Sequence, residues 1–147
     1  MSQDIGYLLN RAARQFRLGF ASRLSEFGLR PQQAAALMAI GRSDGARMTP
    51  SQLADAIDVD QPTVSGLLER LTRDGWVASI PNPDDGRSRF VVLTAKAESV
   101  LPSVLRSAGE TSTEATACFT TGEAETLGRL LLRLCEQGAG PDEKGRR

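Results

Sequence analysis

The chain has 147 residues, which suits one domain or one compact two-lobed unit and leaves little room for a separate catalytic module. An apolar core is sufficient at this size without disulfides or metal, and 40% hydrophobic with 24% charged residues is a globular composition, not a disordered one. Eighteen basic residues balance eighteen acidic ones, so the bulk charge points to no polyanionic partner.

Histidine is absent. This removes the commonest general base and metal ligand, and with them Ser-His-Asp, Cys-His and His-ligated zinc chemistry. No nucleotide-binding glycine loop occurs either, so no enzyme, cofactor or metal site is expected. Cys118 and Cys135 form no CxxC pair and fit a reducing cytosol better than a disulfide scaffold. Neither a secretory signal nor a membrane span is expected, because the start Met1-Ser2-Gln3-Asp4 lacks a basic region and no apolar window approaches 18 residues.

In chain order, Ile5, Leu8, Leu9, Phe16, Phe20, Leu24 and Phe27 lie on one face of a long first helix, which Gly28 ends. Arg11, Arg14 and Arg17 mark another part of its surface, read as a solvated face rather than a phosphate-facing stripe. Pro31 opens a second helix with Leu37, Met38 and Ile40 inward, closed by Asp44-Gly45. Thr49-Pro50-Ser51-Gln52 is a capping box that starts a short third helix to about Ala56. After the break Asp58-Val59-Asp60, a fourth helix from Gln61 or Pro62 carries Val64, Leu67, Leu68 and Leu71, and Asp74-Gly75 stops it.

Trp76 to Ile80 and Arg89 to Leu93 flank a loop dense in turn residues, which predicts a β-hairpin with a polar tip. Thr94 is the N-cap of a fifth helix, where Pro102 predicts a kink or an early turn. Thr120-Thr121-Gly122-Glu123 is a second capping box, and the last helix sets Leu127, Leu130, Leu131 and Leu134 on one side. The Gly-rich, charged tail from Gly138 is expected to be disordered.

Two short helices around a tight turn, followed at once by a hairpin, define a winged helix-turn-helix. In that arrangement a helix fits the major groove and a hairpin tip reaches the adjacent minor groove or the phosphates. The exposed side of the fourth helix offers Gln61, Thr63, Ser65 and Gly66, then Glu69, Arg70 and Arg73; its short amides and hydroxyls suit base edges and its arginines suit phosphate. The wing tip adds Arg87 and Arg89. Arginines on a long exposed loop have no packing purpose, so binding is the favoured role. Trp76 reads as packing between helix and hairpin.

The run from Leu53-Ala54 through Val59, Thr63-Val64-Ser65, Leu67 through Arg70-Leu71, Gly75-Trp76-Val77, and Asp85-Gly86-Arg87-Ser88-Arg89 ending in Leu93-Thr94 resembles the MarR family of bacterial transcriptional regulators. The wing motif is the specific part. The resemblance implies a mainly α fold with a small β-hairpin wing: a DNA-binding lobe over residues 30–93 and a helical dimerisation region over 1–29 and 94–137. It further implies a cytoplasmic homodimer on a pseudo-palindromic double-stranded DNA operator, usually as a repressor, often released by a small aromatic ligand. Half-sites then lie about one helical turn apart, roughly 34–36 Å.

Carried over by position, Gln61, Thr63, Ser65 and Gly66 match base-contacting sites, Arg70 a backbone-contacting one, and Arg87 the minor-groove probe of the wing. Asp85 matches an acidic wing residue that holds an arginine, with Arg89 as its local candidate. Gly66 stands where the family often has a larger, basic residue, and Ala97 where it often has glycine. Phe16, Phe20, Leu37 and Met38 are the candidate effector lining, although core or interface is the favoured reading of the two phenylalanines. Family members that sense oxidation use a first-helix cysteine, absent here, so Cys118 and Cys135 are expected in the core or an interface. The competing functional reading, motivated by the zero net charge, is a winged-helix module that binds protein and not DNA.

Overall fold

The computed structural model describes residues 4–138, which leaves the expected disorder beyond Gly138 outside the described residues. The elements are α1 (Ile5–Leu24), α2 (Pro31–Arg42), β1 (Arg47–Met48), α3 (Pro50–Ala56), α4 (Gln61–Arg73), β2 (Val77–Pro81), β3 (Arg89–Leu93), α5 (Ala95–Ala115) and α6 (Thr121–Gln137). The chain divides into two compact units, one ending at Thr111 and the other beginning at Ser112.

Local chemistry sets most of these boundaries. Asp4 Oδ1 accepts from the Gly6 N–H at 2.8 Å and starts α1. Thr49 and Gln52 cap α3 reciprocally, the Gln52 N–H donating to Thr49 Oγ1 at 3.2 Å and the Thr49 N–H to Gln52 Oε1 at 2.9 Å. The same box recurs at α6 with Thr120 and Glu123.

Two expectations need correction. The hairpin is part of a three-stranded antiparallel sheet of order β1-β3-β2, because Arg47 and Met48 pair with Val92 and Val91. A two-residue strand is too short to show periodicity. Secondly, of the kink or early turn expected at Pro102 the early turn does not form, since α5 continues through Gly109 to Ala115. Proline withholds one N–H from the carbonyl four residues back; both Pro102 and Glu98 are exposed, so water can satisfy that carbonyl.

The core lies in the first unit. Phe20 and Leu24 of α1, Leu37 and Ile40 of α2, Leu53 of α3, and Val64, Leu67 and Leu71 of α4 are buried together with Trp76, Val77, Val91 and Val104. Val77 and Val91 face this core from the sheet. Strand β2 is an edge strand, the position where Pro81 costs no ladder hydrogen bond. Among the described residues, no buried side-chain nitrogen or oxygen lacks a hydrogen-bond partner. The second unit differs: α6 buries no residue.

Candidate nucleic-acid interface

The turn between α3 and α4 is held by backbone geometry. Asp58 adopts φ 56°, a left-handed conformation that Asp tolerates better than most residues. The Asp58 N–H then donates to Asp55 O and the Val59 N–H to Ala54 O at 3.0 Å, a Schellman closure of α3. Two residues later Asp60 caps α4, accepting the Thr63 N–H at 2.7 Å. The entry of α4 is therefore fixed on both sides of the turn.

Val64, Leu67 and Leu71 bury one face of α4, leaving a polar surface that helical spacing divides into two stripes. Gln61, Ser65 and Glu69 form one, and all are exposed. Thr63, Gly66, Arg70 and Arg73 form the other, with Arg70 and Arg73 exposed. Arg73 donates from Nε to Asp74 Oδ1 at 3.1 Å; that hydrogen bond, with the charge of Asp74, raises its pKa further. A Cβ on Gly66 would meet nothing within 4 Å, so the second stripe contains a bare patch of backbone.

At the wing tip, the Arg87 N–H donates to Asp85 Oδ1 at 3.0 Å, while Asn82 Nδ2 donates to Ser88 Oγ at 2.8 Å and ties the loop base. Asp85 thus shapes the turn that presents Arg87, whose side chain is exposed. Asp85 does not hold Arg89, contrary to the sequence expectation. The Arg89 guanidinium instead donates to Ser79 Oγ at 2.7 Å and to Ser79 O at 3.1 Å. Arg89 pairs with Pro81, so Ser79 is its cross-strand diagonal neighbour, within reach of a long side chain. That register could not be read before the pairing of β2 with β3 was known.

Of the candidate effector residues, Phe20 and Leu37 are inside the core, and Phe16 and Met38 pack half-buried against it. An open cavity of about 460 Å³ lies elsewhere, bounded by Ser43, Asp44, Gly45, Arg47, Met48, Gln52 and Phe90. Cys118 and Cys135 are both exposed, which corrects the core reading for them. Among the described residues no cluster of His, Cys, Asp or Glu is placed to hold a metal ion, and no helix is long and apolar enough to cross a membrane.

A buried-core helix pair, a polar second helix and an arginine-tipped hairpin together define a winged helix-turn-helix protein. The MarR family model matches residues 27–88. The multiple antibiotic resistance protein MarR of Escherichia coli is 32% identical over 90 residues, covering 60% of this chain and 62% of that protein. The structure of a probable transcriptional regulator from Pseudomonas aeruginosa superposes with a TM-score of 0.82 at 33% identity, covering 90% of this chain and 97% of that one. A mutant E. coli MarR complexed with operator DNA gives 0.81 at 27% identity, covering 88% and 92%. The chain belongs to the MarR family. MarR-family regulators are DNA-binding proteins and not enzymes. The chain spans 39–62% of the length of three of the curated relatives it matches.

Proposed function

We propose that the protein is a cytoplasmic transcriptional regulator that binds a pseudo-palindromic DNA operator as a homodimer and represses nearby genes. The observation that carries the reading is the pairing of two features. An exposed Arg87 is presented by a hydrogen-bonded wing turn, and a capped helix, α4, shows Gln61, Ser65 and Arg70 to solvent. In this reading Gln61, Thr63, Ser65 and the bare backbone at Gly66 meet base edges. Arg70, Arg73 and Arg89 meet phosphates, and Arg87 enters the minor groove. Support for DNA as the ligand comes from the similar MarR chain, which was crystallised with operator DNA.

Dimerisation, in this proposal, uses residues 1–29 and 94–137. The exposed leucines of α6 support it, as do Ile5, Tyr7 and Leu18 of α1. A protein bound at a promoter represses by occupying the site that polymerase needs. Release by a small aromatic ligand belongs to the same reading. Phe16 and Met38, half-buried at the core margin, are better placed to meet such a ligand than the enclosed Phe20 and Leu37.

The test is retention of the promoter fragment upstream of the protein's own gene. Nanomolar protein at about 0.1 M salt should shift it in preference to competitor DNA. Absence of a sequence-dependent shift, together with capture of a DNA-independent partner, would replace this reading with a protein-binding winged helix.

A further inference from the structure

The end of α4 and the start of α5 are joined by contacts that the DNA-facing residues do not explain. Helix α4 closes through Gly75, at φ 78°, with the Trp76 N–H donating to Leu71 O at 2.8 Å. The carbonyls exposed by that closure are taken up from the far side of the hairpin. Thr94 Oγ1 donates to Gly75 O at 2.7 Å, and the same hydroxyl accepts the Ala97 N–H at 3.3 Å. One side chain therefore ties the turn that follows α4 to the first turn of α5 and caps that turn. Lys96 completes the junction: its Nζ donates to Asp74 O at 2.9 Å and lies 4.0 Å from the centre of the Trp76 ring.

Each contact suits a cation in that place. The C-terminal carbonyls of a helix carry partial negative charge, which an ammonium stabilises. An indole face attracts the same charge. The indole is itself fixed, since Trp76 is buried in the core, so the ammonium is held between an immobile ring and the α4 terminus. Lys96 lies 23 to 35 residues along the chain from the DNA-facing positions of α4, but it touches the carbonyl at that helix's end.

We infer that Lys96 is a positioning residue for DNA recognition, clamping the C-terminus of α4 to the first turn of α5 so that the two helices move as one body. The inference rests on the DNA-binding reading above. It assigns Lys96 no phosphate contact, and this separates it from the arginines of α4 and the wing. Movement of α5 is transmitted to the recognition helix through this junction, and loosening it leaves α4 to be ordered at the moment of binding.

The test compares the full-length wild type with Lys96→Met, which keeps the apolar stem, and Lys96→Arg, which can donate to the same carbonyl and stack on the same ring. Without DNA, Trp76 is the sole tryptophan, so its emission reads the ammonium directly. Lys96→Met should shift or brighten that emission and accelerate hydrogen exchange at Asp74, Gly75 and Trp76, whereas Lys96→Arg should restore wild-type exchange. With the promoter fragment, Lys96→Met should weaken binding about five- to tenfold while the slope of log affinity against log salt stays unchanged.

A slope reduced by about one would make Lys96 an ordinary phosphate contact and overturn the inference. Wild-type emission, exchange and affinity in Lys96→Met would overturn it as well. Failure of the wild type to retain the fragment would instead overturn the DNA-binding reading. In that event the exchange and emission measurements still decide whether the junction is a clamp.

Discussion

Helices α4 and α6 carry the same apolar spacing and meet opposite fates. Val64, Leu67, Leu68 and Leu71 repeat at intervals of three, one and three, as do Leu127, Leu130, Leu131 and Leu134. In α4 the face is sealed, with Val64, Leu67 and Leu71 at most 1% exposed. In α6 it is open, with Leu130 and Leu134 each 49% exposed and Leu131 38%. Periodicity states that a helix has an apolar face; what covers that face depends on residues distant in sequence. Full burial of one leucine stabilises by about 1.5–3 kcal/mol. The winged lobe realises that gain within the chain, and α6 leaves a comparable gain unrealised.

The largest expected effect comes from charging that open face. Leu131→Glu combined with Leu134→Glu should convert a dimer to a monomer, read by size-exclusion chromatography with light scattering. Operator affinity should fall by about a hundredfold or more, since the two half-sites lose their linkage. The helical circular dichroism should hardly change, because these side chains are not packed in the protomer. A variant that stays dimeric would place the interface elsewhere and break the contrast between the two helices.

Within the lobe the sensitivity should be to folding rather than to assembly. Trp76 is 4% exposed and joins α4 to the sheet, so Trp76→Ala should cost about 3–5 kcal/mol, measured as a lowered urea midpoint. A cost near that of a surface substitution would mean that the lobe does not depend on its own core.

The same contrast explains what could be read from the sequence. Caps and turns are local, so Thr49 with Gln52, Asp60, Gly75, Thr94 and Thr120 with Glu123 were visible as punctuation, and helices α3 and α4 were delimited closely. The exposed polar side of α4 followed from helical spacing, and the exposed wing arginines from their loop. What was not legible depended on pairing across the chain. Strand β1 exists only against β3, Arg89 finds Ser79 only through the β2–β3 register, and Lys96 reaches Trp76 only once the hairpin returns. The exposure of Cys118 and Cys135 belongs to the same class, because burial of a thiol is decided by its cover and not by its type.

The arginines offer a finer version of the comparison, between cations that are free for DNA and cations already engaged. Arg87→Ala should weaken operator binding about tenfold and lower the salt slope by about one. Arg73→Ala should cost less, since its guanidinium must first exchange Asp74 for phosphate. Titrating both variants against salt with the same promoter fragment checks the order. Equal losses would show that the Asp74 contact does not compete with DNA.

The smallest expected effect concerns the face of α4 that no protein atom covers. Glycine inside a helix costs roughly 0.5–1 kcal/mol relative to alanine, and at Gly66 nothing in the protomer requires it, since a Cβ there would stand in open space. Gly66→Ala should therefore raise the stability of the free protein by about that amount, seen as a higher urea midpoint. If DNA approaches the bare backbone closely, the same methyl should weaken operator binding about threefold while leaving the salt slope intact, because no charge is altered. A variant that is more stable and binds equally well would show that Gly66 is tolerated rather than needed. It would also move base reading onto the stripe of Gln61 and Ser65.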